Sequence, residues 1–343
     1  MITRILSLED PADLARLQDP KLALEPLEGT VILDEIQRRA ELFPVLRVLA
    51  DRQACPARFL VLGSASPDLL RQTSETLAGR IAFHELGGFG LDEVGVESLD
   101  RLWVRGGFPR SFLASSDAES ERWRRDFIRT FLERDLARLG VRIPAETMGR
   151  FWEMLAHYHG QTWNASELAR AFGVSDRTVA RYLGILEATY VVRRIRPWFQ
   201  NISKRQVKAP KIYLADTGLL HSLLGLGTFR DLTGHPKVGA SWEGFAIDVV
   251  VRRLQTWSNE IYFWGLHTGA ELDLLVVRGN LRIGFEIKRT TAPRVTPSMR
   301  SALDVLQLQR LYVVHAGDTS FPMSESIQAI PLARVPDEIE PVR

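Results

Sequence analysis

The stretch 269–288, Gly-Ala-Glu-Leu-Asp-Leu-Leu-Val-Val-Arg-Gly-Asn-Leu-Arg-Ile-Gly-Phe-Glu-Ile-Lys, leaves the chain few choices. Two apolar runs, 272–277 and 281–287, flank an Arg-Gly-Asn turn at 278–280, which reads as a β-hairpin. Strand side chains alternate between faces, so Glu286 and Lys288 project together and Ile287 the other way. With Asp273 turned to the same side from the partner strand, two carboxylates and one ammonium meet. Acidic oxygens so placed suit a hard cation such as Mg²⁺, and a lysine beside them can position or help deprotonate a water. The plainer alternative is a surface hairpin with alternating solvated charges. Lysine usage favours the first reading. Of 44 Lys plus Arg only six are lysines, at 21, 204, 208, 211, 237 and 288, so a lysine at 288 points to a need for an ammonium rather than a guanidinium.

An Asp followed a dozen residues later by Glu-x-Lys on an adjoining strand resembles the PD-(D/E)xK restriction-endonuclease-like superfamily. That core runs α-β-β-β-α-β. Here the sequence predicts a helix near 241–254, strands near 260–265, 271–277 and 281–288, a helix near 296–306 and a strand at 309–315. The resemblance implies Asp273 and Glu286 as Mg²⁺ ligands and Lys288 as their catalytic partner. It also implies Glu243, in Trp242-Glu243-Gly244-Phe245, as a further acidic ligand.

At 343 residues and 45% hydrophobic content there is chain enough for two or three cores. A formal charge of +2 makes nucleic-acid binding a matter of local patches, not of a global field. The single cysteine, Cys55, excludes a disulfide framework and suits a reducing compartment. No apolar run approaches ~18 residues and no signal pattern opens the chain, so a cytoplasmic location is expected.

Toward the N-terminus, Thr-Val-Ile-Leu-Asp-Glu-Ile-Gln at 30–37 is an apolar strand ending in Asp34-Glu35. In P-loop ATPases this is the Walker B arrangement, the Asp holding Mg²⁺ and the Glu orienting the attacking water. A helix at 42–51 follows, then a buried strand, Arg-Phe-Leu-Val-Leu-Gly-Ser at 58–64. The ordered series Leu-Glu-Asp-Pro (8–11), Leu-Asp-Glu-Ile-Gln, Leu-Gly-Ser, Leu-Ala-Gly-Arg (77–80) and Gly-Gly-Phe-Pro (106–109) resembles a prokaryotic family of AAA-type, archaeal-ATPase-like ATPases. These carry a C-terminal domain of unknown function with a restriction-endonuclease-like end. The resemblance implies Ser64 (or Ser66) as a nucleotide-sensing polar group, Arg80 as an arginine finger, and ATP with Mg²⁺ as cofactors. One motif of that family, G-x-x-x-x-G-K-[ST], is missing from these 343 residues. Its backbone and lysine cradle the phosphates. The expectation is a chain that starts after the P-loop, through either a start codon placed too far downstream or true truncation. Efficient ATP hydrolysis by these residues alone is then not expected.

Residues 111–139 read as a long amphipathic helix, dense in charge, with a solvated or interdomain face as the reading for Glu133-Arg134-Asp135, and 146–158 as a second. The segment 164–186 has the form of a helix-turn-helix, with Gly173 at the turn and Ser175 capping the second helix. Arg177, Thr178 and Arg181 then lie on the exposed face, where a recognition helix meets the major groove. Arg193, Arg194 and Arg196 on a following wing strand can meet phosphates. Such modules also serve as lids or protein contacts. His157 and His159, two apart, do not share a helical face, so no metal site is read there.

The predicted architecture is α/β: a partial AAA-type domain (1–110), a helical and winged-helix middle (111–225), and a restriction-endonuclease-like end (226–343). Three functions fit it. They are an ATPase-family protein acting on or with nucleic acid, a Mg²⁺-dependent DNA endonuclease, and a non-catalytic regulator that binds DNA or protein.

Overall fold

The computed structural model describes residues 2–53, 56–63, 77–84, 86–199 and 206–342. Ser64, Ser66 and Cys55 lie outside the described residues. The chain is α/β throughout and divides into two compact units, Met1–Leu86 with Ala188–Tyr190, and Gly87–Glu187 with Val191–Arg343. No helix among the described residues is long and apolar enough to cross a membrane.

The first unit is built on a parallel sheet of β1 (Ile2–Ser7), β2 (Gly29–Asp34) and β3 (Ala57–Val61), in that spatial order. Val31 and Leu33 of the central strand are fully buried against Leu17, Leu24, Phe43 and Leu46. Each such side chain contributes about 1.5–3 kcal/mol by leaving water. Short helices Pro11–Arg16 and Pro20–Leu24 start at proline, with Asp10 and Asp19 as their N-caps. The helix Leu42–Ala50 covers the sheet with Leu42, Phe43, Leu46 and Leu49, the i, i+3, i+4, i+7 spacing of a buried stripe. The sequence reading had no strand before residue 30; β1, six residues at the chain start, is too short for its pattern to stand out.

In the second unit one sheet of nine strands runs β11-β12-β10-β9-β8-β7-β5-β6-β4. Its centre is β7 (Ile261–Gly265), β8 (Glu271–Arg278), β9 (Leu281–Lys288) and β10 (Arg310–His315), with β11 (Phe321–Pro322) and β12 (Ile327–Pro331) at one end. Strands β8 and β9 are antiparallel, Arg278 pairing with Leu281 across Gly279-Asn280. Gly279 has φ +58, which a two-residue hairpin turn with glycine first requires. The helix Val238–Leu254 buries Phe245, Ala246, Val249 and Val250 with Phe285 and Ile287 of β9. The helix Pro297–Leu306 buries Met299, Ala302 and Leu306 with Leu272 and Leu275 of β8.

At the other end come β4 (Gln161–Thr162), β5 (Val192–Pro197) and β6 (Lys211–Leu214). Between β4 and β5 stand the helices Ala165–Phe172 and Asp176–Ala188. Asn164 caps the first and Ser175 the second, and Gly173 turns between them at φ +64. Strand β5 pairs antiparallel with β6 and also parallel with β7, Arg196 opposite Tyr262 and Pro197 opposite Phe263. The sheet therefore contains strands from both sides of position 225.

The long helix predicted over 111–139 is shorter and interrupted. Pro109 opens a four-residue helix, and Ser116 then caps Asp117–Thr130 by accepting the Glu119 amide. The next turn, Phe131–Asp135, is π-helical. Its charges are not all solvated: Arg124 is completely buried and donates to the carbonyls of Val104 (2.7 Å) and Gly218 (3.2 Å).

Candidate functional site

In the first unit Asp34 ends the central strand, and its Oδ1 accepts the amide of Glu35 at 3.1 Å. Glu35 turns the chain with φ +58, a left-handed conformation that costs a non-glycine residue about 1–2 kcal/mol. Its carboxylate accepts from the Gln37 side-chain amide. Arg80, expected as an arginine finger, is bound to Asp51 at the end of the helix Leu42–Ala50. Asp34 and Glu35 suit the cation side of a nucleotide site, while a glycine-lysine phosphate cradle is not among these residues. The sensor assignment to Ser64 falls outside the described residues.

The second unit brings together more of the predicted side chains. Asp273 and Glu286 directly adjoin the paired residues Leu274 and Phe285 on the two strands. Asp273 Oδ2 accepts the amide of Ile287 at 2.8 Å. Lys288 Nζ holds Glu286 Oε1 at 2.7 Å, while Glu286 Oε2 is buried with no hydrogen-bond partner. Glu243 joins them from the helix Val238–Leu254, accepting from the Tyr213 hydroxyl at 2.5 Å.

The sequence reading missed the residue at the centre of this group. Lys211, the first residue of β6, extends its ammonium to 3.3 Å from Glu243 Oε1 and 3.7 Å from Asp273 Oδ1, and also binds Glu271. Its side chain is 5% exposed. The available signal was the scarcity of lysine, which marks 211 as much as 288.

Burial, then the charge of Asp273, pushes the Glu243 and Glu286 carboxyls each up to about 7. Burial works against the charge on Lys211, yet Glu243, Asp273 and Glu271 more than offset it and its pKa is raised. Among the described residues no three His, Cys, Asp or Glu side chains are grouped so as to hold one metal ion. The predicted ligands Glu243, Asp273 and Glu286 thus lie near one another but, as arranged, do not form a divalent-cation site, and the Lys211 ammonium stands beside two of them, Glu243 and Asp273.

Of the predicted nucleic-acid residues, Arg177 and Arg181 are exposed on the helix Asp176–Ala188, and the Thr178 hydroxyl is 3.0 Å from that of Ser175. The wing arginines are placed in two ways. Arg193 is paired with Asp248 at 2.9 Å and Arg194 with Glu187, so both guanidiniums already have carboxylate partners; Arg196 is exposed.

Three family models cover the chain in succession: "AAA domain" over 3–95, "Domain of unknown function (DUF8612)" over 96–230 and "Domain of unknown function (DUF4143)" over 238–335. "Uncharacterized protein Rv2008c" of Mycobacterium tuberculosis (strain ATCC 25618 / H37Rv) is 53% identical over 327 residues, which is 95% of this chain and 74% of the relative. The chain belongs to this family of AAA-domain proteins. "Uncharacterized protein Mb2031c" of Mycobacterium bovis (strain ATCC BAA-935 / AF2122/97) matches with the same identity and coverage. Among solved structures, protein VC1899 from Vibrio cholerae aligns with 98% of this chain and 95% of its own at 13% identity, with a TM-score of 0.19. In AAA-family terms Asp34-Glu35 falls within the AAA-domain match and the Lys211 pocket is divided between the two domains of unknown function.

Proposed function

We propose that the protein is an AAA-type ATPase-family protein that works with nucleic acid. In this reading the AAA-domain residues supply the cation and water side of a nucleotide site, and the second unit supplies the nucleic-acid surface. The observation that carries it is the placement of Asp34-Glu35 at the C-terminal end of the central strand of a parallel sheet, where bound Mg²⁺ and the attacking water of a P-loop ATPase are managed. A bound Mg²⁺-nucleotide would supply the phosphoryl group, and its Mg²⁺ the positive charge. The chain's own part would be to hold the cation, through its water, at Asp34 and to orient the attacking water through Glu35.

The nucleic-acid half of the reading draws on the order helix (Ala145–His157), β4, two helices, β5, β6, with β6 between β4 and β5. This succession supports reading the segment as a winged helix, with Arg177 and Arg181 exposed on its second paired helix. The neighbouring placement of Asp273, Glu286 and Lys288 favours a restriction-endonuclease-like end to the chain as a second reading. With Lys211 among the acids, we take that end as a binding fold rather than a metal-loaded nuclease.

Titration of the purified chain with Mg²⁺-ATP tests the first reading, with Asp34→Asn and Glu35→Gln as controls. Binding that Asp34→Asn weakens supports it, and slow or absent turnover is expected without a phosphate cradle among these residues. Nucleotide binding that neither substitution alters would remove the basis for it.

A further inference from the structure

Three carboxylates, Glu243, Glu271 and Asp273, converge on one ammonium. Lys211 reaches them from β6, with its Nζ 5.6 Å from the centre of the Phe263 ring. A lysine that is almost wholly buried and ends among three acids is a tethered monovalent cation, held at contact distance from oxygens that could otherwise serve a metal. Beyond Asp273 the pocket offers another acceptor: Glu286 is 5% exposed and its Oε2 has no partner. A pocket of this composition is cation-seeking, and the chain itself fills most of it.

We propose that Lys211 is the resident cation of this pocket and keeps it closed to divalent metal, so that removing the Lys211 charge turns the pocket into a divalent-cation site. A hard divalent ion needs several oxygens at about 2.0–2.6 Å. It cannot approach Glu243 and Asp273 so closely while an ammonium stands 3.3 and 3.7 Å from the same two groups, both because of the space taken and because like charges repel. Glu271 and Asp273 come from one strand, Glu243 from a helix and Glu286 from another strand. With the ammonium gone, carboxylates from a helix and a strand, Glu243 with Glu271 and Asp273, border the place it held. The inference rests on the side chains around Lys211 and stands whichever way the nucleotide reading falls.

The test is Mn²⁺ binding to the full chain, followed by the electron-paramagnetic signal of free Mn²⁺, for wild type, Asp273→Asn, Lys211→Met and the Lys211→Met/Asp273→Asn double variant. In the wild type, Asp273→Asn is expected to leave the Mn²⁺ isotherm unchanged. Lys211→Met is expected to gain a site at least about tenfold tighter than any the wild type shows, and the double variant to lose it. If Lys211→Met does not fold with three uncompensated acids, Lys211→Met/Glu271→Gln carries the same comparison with one acid fewer. Loss of a wild-type Mn²⁺ site in Asp273→Asn, or no gain in either Lys211 variant, overturns the proposal.

Discussion

Gly244 lies flush against His159: a β-carbon built on it would stand 2.5 Å from the imidazole Nε2. The same ring accepts the Leu214 amide at 3.0 Å through Nδ1 and meets the Tyr213 ring edge-on at 5.3 Å. His159 thereby fixes the strand that carries Lys211 and Tyr213, and Gly244 lets the helix carrying Glu243 approach it. In a helix interior, glycine to alanine ordinarily gains about 1 kcal/mol. Here Gly244→Ala is expected to cost about 1–3 kcal/mol instead, as overpacking does. Chemical denaturation gives the sign directly, and a stabilised Gly244→Ala would show that the contact is loose.

The acid pocket has a pH signature. Glu243 and Glu286, raised from an ordinary 4.5 to about 7, keep protons between those values that the unfolded chain has released. Their contribution to stability is thus full below about pH 4.5 and is lost as pH rises through 7. His159 and His221, pushed down to about 3 by burial, work in the opposite sense. Their contribution is full above pH 6.5 and is lost as pH falls toward 3. Comparing Glu286→Gln with wild type separates the two. The stability of the variant relative to wild type should rise from pH 5 to pH 8 by about 1–3 kcal/mol, each tenfold in proton affinity being worth about 1.4 kcal/mol. A constant difference would mean that Glu286 titrates as an ordinary carboxylate.

Glu35 holds a left-handed backbone at φ +58 directly after Asp34. Glycine adopts that conformation without the steric penalty. Glu35→Gly should therefore stabilise the first unit by up to about 1 kcal/mol while removing any water-orienting carboxylate. Thermal unfolding measures the first effect and nucleotide turnover the second. A destabilised variant would indicate that the Glu35 contact with Gln37 outweighs the strain.

Duplex DNA binding should depend on Arg177 and Arg181, which are exposed, and much less on Arg193 and Arg194, which are already paired with Asp248 and Glu187. Replacing the first two by alanine is expected to weaken binding to mixed-sequence duplex and to lower the slope of log affinity against log salt by about 1–2. Arg193→Ala should instead destabilise the fold. An unchanged salt slope in the Arg177/Arg181 variant would move the surface elsewhere.

The sequence carried the second unit's elements well because their signals are local. The hairpin turn at Gly279, the alternation in β9 and the apolar face of the helix Val238–Leu254 each depend on neighbours a few residues away. Asp273, Glu286 and Lys288 were legible for the same reason, since a period of two and a short turn set their relation. Lys211 was not, because its partners lie 32, 60 and 62 residues further along at Glu243, Glu271 and Asp273, and only tertiary packing, not a local pattern, brings them together. The burial of Arg124 was not legible either, since helical spacing gives no sign that Val104 and Gly218 supply carbonyls to it. The pairing of Arg193 with Asp248 was hidden in the same way.

Strand β5 is bonded on one side to β6 and on the other to β7. A cut at 225 would leave the β7 edge, with the carbonyl of Phe263 and the amide–carbonyl row beside it, without the neighbour that now accepts and donates there. Open strand edges recruit other strands. A fragment beginning after 225 should therefore self-associate more readily than the longer chain, and evolution could exchange the helix pair between relatives only together with the strand that ties it down.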